Sequence, residues 1–556
     1  MNHSRRGSGG RPLRPYISGL VVVLVIAGAV GALDWDLSVL LDAESRTQAA
    51  LRVSRFVGAF GAPDLSNEAL LQGASLSVQT LSVALLGSAL GIVMGYVLAL
   101  GASRIVMVGS DTTRRVARTG SLLNLASHLA RRVALEGCRM LLDTLRGVPD
   151  FAWAVLILTI PGPGPVTGML ALGLSVAGML GKVYSELWDS VDPQRYAAVS
   201  QQGGRLITLF YGVQPLSGRS MLSYTLMRTE CCVRNASVIG VVGGGGLGGQ
   251  LFDEFAFGNY ERVVTLLIFL LLLTGGVDLL SNWLRYRLRA EHTGSRMGVQ
   301  RAAGLRIGAL RRLEVLGIVL VALAGSLWWL RDGLARSLSE LQRIEWTWIG
   351  EQVGELLRPD LSPGTLAEAS LSAVVPVAMG ILSTVGACLI AAALVFPSSI
   401  LFQRHAHLFT GEDPGRARRM IRIGSVVVAR GTALVLRGMP DVAWVLLLAS
   451  FFRLGVLAGV AAIALHSSGV LARVFVEVVD NIPARRLEPL HIVSRTLTFV
   501  YAALPIAGRD WRTYGLFQFE SNVRAGVVLG IVGVGGWGTR FTPVLAIGTC
   551  RVRVHF

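Results

Sequence analysis

Glu230 and Arg234 stand four residues apart, and so do Glu520 and Arg524. On a helix that spacing puts carboxylate and guanidinium on one face. Both pairs fall in stretches, 219–242 and 512–532, expected to cross a membrane. That places the charges well inside a hydrocarbon core of roughly 30 Å. Ionisable groups at such depth are costly and face a partner or a wet cavity. Two chemistries fit. A fixed cation lowers the barrier for a crossing anion, with the carboxylate tempering its field; or the pair is structural and fixes helix packing. Ser237 and Asn522, on the same two stretches, complete the polar set that would line a pathway.

Glycines follow each charged pair: Gly243, Gly245, Gly246 and Gly248, then Gly533, Gly535, Gly536 and Gly538. Their spacing includes G-x-G-x-x-G, the dinucleotide-binding pattern, but the preceding segment has helical character and no strand precedes the turn. A hinge is expected instead, where small residues let helices pack closely or let one unwind at membrane depth. Arg146 with Asp150, and Arg437 with Asp441, flank a Gly-x-Pro step, which predicts a fixed break with an interfacial arginine.

These groups need membrane helices to hold them. The 556 residues are 52% hydrophobic and 16% charged, below the quarter or so usual for a soluble domain. Mean hydropathy is +0.57. Expected spans are 16–33, 75–102, 148–161, 166–186, 219–242 and 262–283, then 312–330, 367–396, 439–454, 456–476 and 512–532. The third starts within the amphipathic stretch 133–147 or after it. The net charge of +17, from 52 Lys+Arg against 35 Asp+Glu, concentrates in loops 103–140, 284–312 and 403–430, while 34–70 and 331–365 carry acids. That alternation predicts basic loops in the cytoplasm, facing anionic lipid rather than nucleic acid. The five cysteines form no C-x-x-C, so neither a disulfide framework nor a zinc site is expected. No P-loop, H-E-x-x-H or G-x-S-x-G occurs. No metal or other cofactor is expected, and the chain reads as no enzyme.

The elements come twice. Leu145-Arg146-Gly147-Val148-Pro149-Asp150-Phe151-Ala152-Trp153 recurs as Leu436-Arg437-Gly438-Met439-Pro440-Asp441-Val442-Ala443-Trp444. Pro63-Asp64-Leu65-Ser66 recurs as Pro359-Asp360-Leu361-Ser362, and Arg234 with its glycines recurs at Arg524. The expected fold is all-α: a polytopic helical membrane protein with a tandem parallel repeat. Its first half is 1–290, its basic linker 291–311 and its second half 312–556, with the last span of the second half missing. Loops 186–215 and 477–505 end in matching turns, Tyr211 to Pro215 and Tyr501 to Pro505. They are connectors or docking helices for a cytosolic partner.

The run Tyr224 to Gly248, with Tyr-Thr-Leu, Arg-x-Glu and the V-G-x-G-G-x-G ending, resembles the phosphonate-family ABC transporter permeases. Arg-Gly-Val-Pro-Asp-x-x-Trp and Gly178-Met179-Leu180-Gly181-Lys182 resemble them too. The resemblance covers most of both halves. It implies a type I importer fold and two permease copies in one chain. It also implies passage of phosphonate, phosphite or phosphate, a cytosolic ABC ATPase dimer, an extracytoplasmic solute-binding protein, and the bacterial inner membrane. The coupling position is Tyr196-Ala197-Ala198 with Gly203 in the first copy, and lies near Glu488 in the second, both departing from the family's Glu-Ala pattern. Cys232 faces Asn522 in the comparison of copies, and Arg228 faces Gln518. The alternatives are a scaffold or degenerate permease that no longer transports, and a permease for an unrelated solute.

Overall fold

A computed structural model describes residues 14–35, 42–109, 122–158, 162–202, 204–289, 299–343, 350, 354, 361–405, 415–452, 455–487 and 494–530. Every regular element among them is helical. The first copy runs α1 (Arg14–Gly31), α2 (Ala43–Gly61), α3 (Asn67–Ala102), α4 (Arg104–Met107), α5 (Leu122–Gly147), α6 (Asp150–Leu158) and α7 (Pro165–Asp189). A 3-10 turn (Pro193–Tyr196), α8 (Ala197–Gln202), a short turn (Arg205–Ile207) and a π turn (Thr208–Val213) follow. Then come α9 (Gln214–Ile239), a second π turn (Gly240–Gly244), α10 (Leu247–Ala256) and α11 (Tyr260–Arg289). The second copy runs α12 (Val299–Trp329), α13 (Arg331–Arg343), α14 (Pro363–Ser398), α15 (Ile400–Gln403), α16 (Arg416–Gly438), α17 (Asp441–Phe452) and α18 (Val456–Asp480). A π turn (Phe499–Ala503) again leads into α19 (Leu504–Leu529).

Five described helices are long and apolar enough to cross a membrane: Asn67–Ala102, Pro165–Asp189, Tyr260–Arg285, Pro363–Ser398 and Val456–Asp480. Two bent pairs, Leu313–Trp329 with Arg331–Ser337 and Arg416–Gly438 with Asp441–Phe452, bring the number to seven if each is one span. The second pair bends by 97°. Its break falls at Gly438–Pro440, where the Gly-x-Pro step predicts one, because proline cannot continue the hydrogen-bond ladder of the preceding turn. Stretch 219–242 is helical but fails on composition, since Arg219, Arg228, Glu230 and Arg234 exceed what an apolar span carries. Of these, Glu230 is buried, Arg228 and Arg234 are half-buried against protein, and Arg219 is exposed.

The repeated Asp-Leu-Ser has a local meaning. Ser66 caps α3 by accepting from Ala69 N, and Ser362 caps α14 from Thr365 N. A serine side chain there satisfies one of the four free amides of a helix start. From its cap, α3 runs for 36 residues, about 54 Å at 1.5 Å per residue, longer than a bilayer core is thick. Gly87, Gly91 and Gly95 line one face of it against α7. A Cβ there would sit 2.9 Å from Leu172 Cβ, 2.6 Å from Val176 Cβ and 2.9 Å from Ala177 O. In lipid, where apolar surface alone does not drive association, such close approach is what holds two helices.

Contacts gather the described residues into two units. One joins those up to Val53 with those of Asp360–Arg437 and Asp441–Val544; the other takes those of Ser54–Pro359 with Gly438–Pro440. The grouping crosses the boundaries 1–290 and 312–556. In the first unit α1 lies against α14, and in the second α12 lies against α3. Each copy's leading helix therefore packs on the long span of the other copy.

Candidate functional site

Helix α9 brings Glu230 onto two cations. The residue is 5% exposed. Its Oε1 lies 3.6 Å from Arg234 Nη2, one turn along the same helix. Its Oε2 accepts a 2.8 Å hydrogen bond from Arg285 Nη2 on α11. Arg285 also donates to Ser281 Oγ at 2.7 Å, which fixes its fork. The expected pair is a triad of two cations and one anion, with Glu230 buried and Arg234 and Arg285 half-buried. From the sequence, Arg285 counts among the basic residues of loop 284–312, because it directly follows an apolar run. Its fork instead turns back into the protein.

In the second copy Arg524 donates to Glu520 on α19. That pair is more open, with 25% and 47% of the side chains exposed. Ser237 lies on α9 with Glu230 and Arg234, but its hydroxyl donates to Arg234 O at 2.6 Å. Asn522 is buried in a separate neutral network. Its Oδ1 accepts from Ser467 Oγ at 2.6 Å and Gln518 Nε2 at 3.0 Å, and its Nδ2 donates to Thr384 Oγ1 at 2.9 Å. The structure thus unites Glu230 and Arg234, leaves Ser237 bonded to its own helix backbone, and sets Asn522 apart from the ion pair on its own helix.

Past α9 the chain turns back sharply. Gly243, Gly245 and Gly246 have φ of 100°, 71° and 80°, the left-handed region that glycine adopts without strain. A Cβ at Gly248 would sit 1.6 Å from Ser237 O, so backbone lies directly on backbone. Leu247 N donates to Thr80 Oγ1 at 2.9 Å, tying the turn to α3. The hinge glycines Gly533, Gly535, Gly536 and Gly538 lie outside the described residues.

At the break between α5 and α6, the Asp150 carboxylate accepts from Ser175 Oγ and Asn235 Nδ2, joining α6, α7 and α9. Trp153 Nε1 donates back to Leu145 O at 3.3 Å, and Trp444 repeats the bond to Leu436 O at 3.1 Å. Gly178 and Gly469 let the facing helix touch this break. A Cβ on either would lie 2.5 Å from the backbone nitrogen of Arg146 or Arg437. Lys182, the only lysine, pairs with Asp143 at 3.0 Å.

Of the expected coupling residues, Tyr196 is buried and ends the 3-10 turn, while Ala197 and Ala198 open α8. Burial, with Asp189 and Asp192 nearby, pushes the Tyr196 hydroxyl above its ordinary pKa. A Cβ on Gly212 would meet Tyr196 Cβ at 2.9 Å, so that glycine makes room for the ring. Gly203 and Glu488 lie outside the described residues.

The chain shares 27% identity over 472 residues with the phosphate-import permease protein PhnE of Mycolicibacterium smegmatis, covering 83% of this chain and 77% of that one. It shares 32% identity over 118 residues with the putative cryptic phosphonate transport system permease protein PhnE2 of Escherichia coli, covering 97% of that protein and 21% of this one. The chain belongs to the phosphonate-family ABC transporter permeases. This permease also matches the phosphite transport system permease protein PtxC of Stutzerimonas stutzeri, with 28% identity over 264 residues, 47% of this chain and 87% of that one. No family model and no solved structure matches it. With its apolar helices, membership makes it a multi-pass membrane protein with the importer permease fold, a transport subunit.

Proposed function

We propose that this permease forms the membrane pathway through which phosphonate, or a related oxyanion such as phosphite or phosphate, enters a bacterial cell across the inner membrane. A separate cytosolic ABC ATPase dimer drives it, and an extracytoplasmic solute-binding protein loads it. The observation that carries this reading is the Arg234–Glu230–Arg285 group around the buried Glu230. An oxyanion leaving water loses hydration, and a fixed cation offsets part of that loss. Too strong a field would trap the ion, and Glu230 weakens it. In the first copy Arg234 with Glu230 would face the oxyanion, with Ser237 on the same helix; in the second, Arg524 with Glu520 would do so, with Asn522 on the same helix. The glycine segment lets α9 end and turn within the membrane. Segment 193–213 and its partner near Glu488 receive the ATPase. The names of the relatives, which span phosphate, phosphite and phosphonate systems, agree with this solute class.

The experiment is uptake of labelled phosphonate, phosphite and phosphate in cells with and without the chain, then with Arg234→Gln and Arg524→Gln together. Uptake should fall by about tenfold or more at equal membrane abundance, equivalent to a barrier rise of about 1.4 kcal/mol. A wild-type rate in the double variant would remove the pathway role. Loss of folded protein, restored when Glu230 and Glu520 are also neutralised, would assign the arginines a structural role instead.

A further inference from the structure

Two one-turn helices, α4 and α15, sit where each copy's longest span ends. In the first copy the loop that follows α7 begins at Asp189. The Asp189 carboxylate accepts from Ser103 Oγ at 2.9 Å, Arg104 N at 3.0 Å and Ile105 N at 3.4 Å. Arg139 Nη2 donates to it at 3.1 Å, and Arg139 Nε donates to Ala102 O at 3.0 Å. The far side of the same loop returns at Arg205, whose Nη1 donates to Met107 O at 2.9 Å. One end of the loop is thus fastened to the first residues of α4 and the other end to its last.

The second copy repeats the arrangement. Asp480, at the end of α18, accepts from Ser399 Oγ at 2.5 Å, Leu401 N at 3.1 Å and Ile400 N at 3.3 Å. Arg430 Nη2 donates to it at 3.0 Å, and Arg430 Nε donates to Ser398 O at 3.0 Å. Arg495 Nη1 donates to Gln403 Oε1, the last residue of α15, at 2.6 Å. Gln403 passes the hold on to Phe396 O at 2.9 Å. Ser103 and Ser399 are fully buried.

The two copies have drifted elsewhere. Arg228 stands against Gln518, Cys232 against Asn522, and the loop between the clamps differs. The aspartate, both arginines and the serine stay the same in each copy. We propose that α4 and α15 are struts: Asp189 with Arg205, and Asp480 with Arg495, lock both ends of each loop to its long span, so that displacement of the loop tilts the span. The clamp residues are positioning residues. A carboxylate accepting several N–H groups and a guanidinium is a stiff joint, because charge-assisted bonds are short and directional. Only Ser103 separates α3 from α4, and only Ser399 separates α14 from α15. Motion of either strut therefore reaches the span beside it. This rests on the reading of the loops as the seat of the ATPase.

The test uses the tagged full-length chain with the ATPase that co-purifies with it, reconstituted in liposomes. ATP hydrolysis and uptake of labelled phosphate, phosphite and methylphosphonate are measured on the same vesicles. In Arg205→Gln with Arg495→Gln, ATPase binding should persist while solute moved per ATP falls about fivefold or more, the range of an interrupted coupling between sites. Arg205→Lys with Arg495→Lys should recover most of the ratio, since a lysine still donates to the strut carbonyl. An unchanged ratio in the Gln variant overturns the strut, and so does a fall of uptake and hydrolysis in equal proportion. A wild-type chain that binds no ATPase overturns the importer reading itself, and that result precedes any variant.

Discussion

Arg285 holds Glu230 more tightly than Arg234 does, at 2.8 Å from another helix against 3.6 Å from its own. The near neighbour in sequence is the weaker partner. Since Arg285 supplies the close bond, the carboxylate is anchored to α11.

Removing the carboxylate should therefore do more harm than removing either cation. Glu230→Gln takes from Arg234 and Arg285, 12% and 17% exposed, the carboxylate that both contact, and should cost about 3–5 kcal/mol of stability. Arg285→Gln leaves Glu230 with Arg234 and should cost less. Glu520→Gln, in the half-exposed pair of the second copy, should cost about 0–1 kcal/mol. Denaturant unfolding of the detergent-solubilised chain gives the order, and an equal cost for Glu230→Gln and Glu520→Gln would show that the triad is not a buried unit.

Gly248 has no room for any side chain. Its Cβ would overlap Ser237 O at 1.6 Å, and that carbonyl is backbone and does not yield. Gly248→Ala should abolish a stable first copy. Gly317, inside α12 with nothing within 4 Å, should accept alanine and gain about 0.5–1 kcal/mol. Membrane abundance and melting temperature of the two variants check this, and normal abundance of Gly248→Ala would refute the close approach.

Asp64 offers a pH test outside the spans. The Ser66 hydroxyl and amide, then the Arg262 guanidinium at 3.1 Å, hold its carboxyl below its ordinary value of 3.8. A depressed carboxylate contributes stability that is fully present above its unfolded-state value and is lost as pH falls through the lower folded value. Melting temperature should thus drop as pH goes below about 4, and Asp64→Asn should lose that part of the drop. The same slope in both chains would show that Asp64 is not linked to folding.

Much of this was legible in the chain because the physics is local. Glu230 and Arg234 share a face by spacing, and Gly438 and Pro440 mark a break. The glycine run marked a place where helices pack closely or one unwinds, and Gly243, Gly245 and Gly246 have positive φ there. What stayed hidden depends on partners far along the chain. Arg285 reaches Glu230 across 55 positions, and Asp189 meets Ser103 across 86. At the end of an apolar helix such residues look like ordinary loop polarity. The packing of α1 on α14 and of α12 on α3 was hidden too, because an apolar helix face carries no address for the surface it will choose. Asn522 read as a pathway residue from its place in the motif, and only the positions of Ser467, Gln518 and Thr384 reveal its network.

That network supplies the last prediction. Asn522 is buried and joins three side chains from its own and two other helices, α14, α18 and α19. Asn522→Ala would leave Ser467, Gln518 and Thr384 to seek other partners in a medium with little water. Each polar group left unsatisfied costs about 1–3 kcal/mol in a soluble core. In membranes single interhelical hydrogen bonds average nearer 0.6 kcal/mol, because the loosened partners find other bonds. Ser467 Oγ already receives a 3.1 Å bond from Gln518, so part of the network survives. The expected loss is about 1–3 kcal/mol in all, read by denaturant unfolding. Cys232→Ala, at the matching place in the first copy, removes only a small apolar thiol and should cost about 1 kcal/mol or less. If Asn522 lines the pathway as well, Asn522→Ala should slow oxyanion uptake beyond its effect on abundance. If it serves packing alone, uptake per folded molecule stays at the wild-type rate, and a second substitution of Gln518 to Leu, which removes one orphaned amide, should restore part of the lost stability.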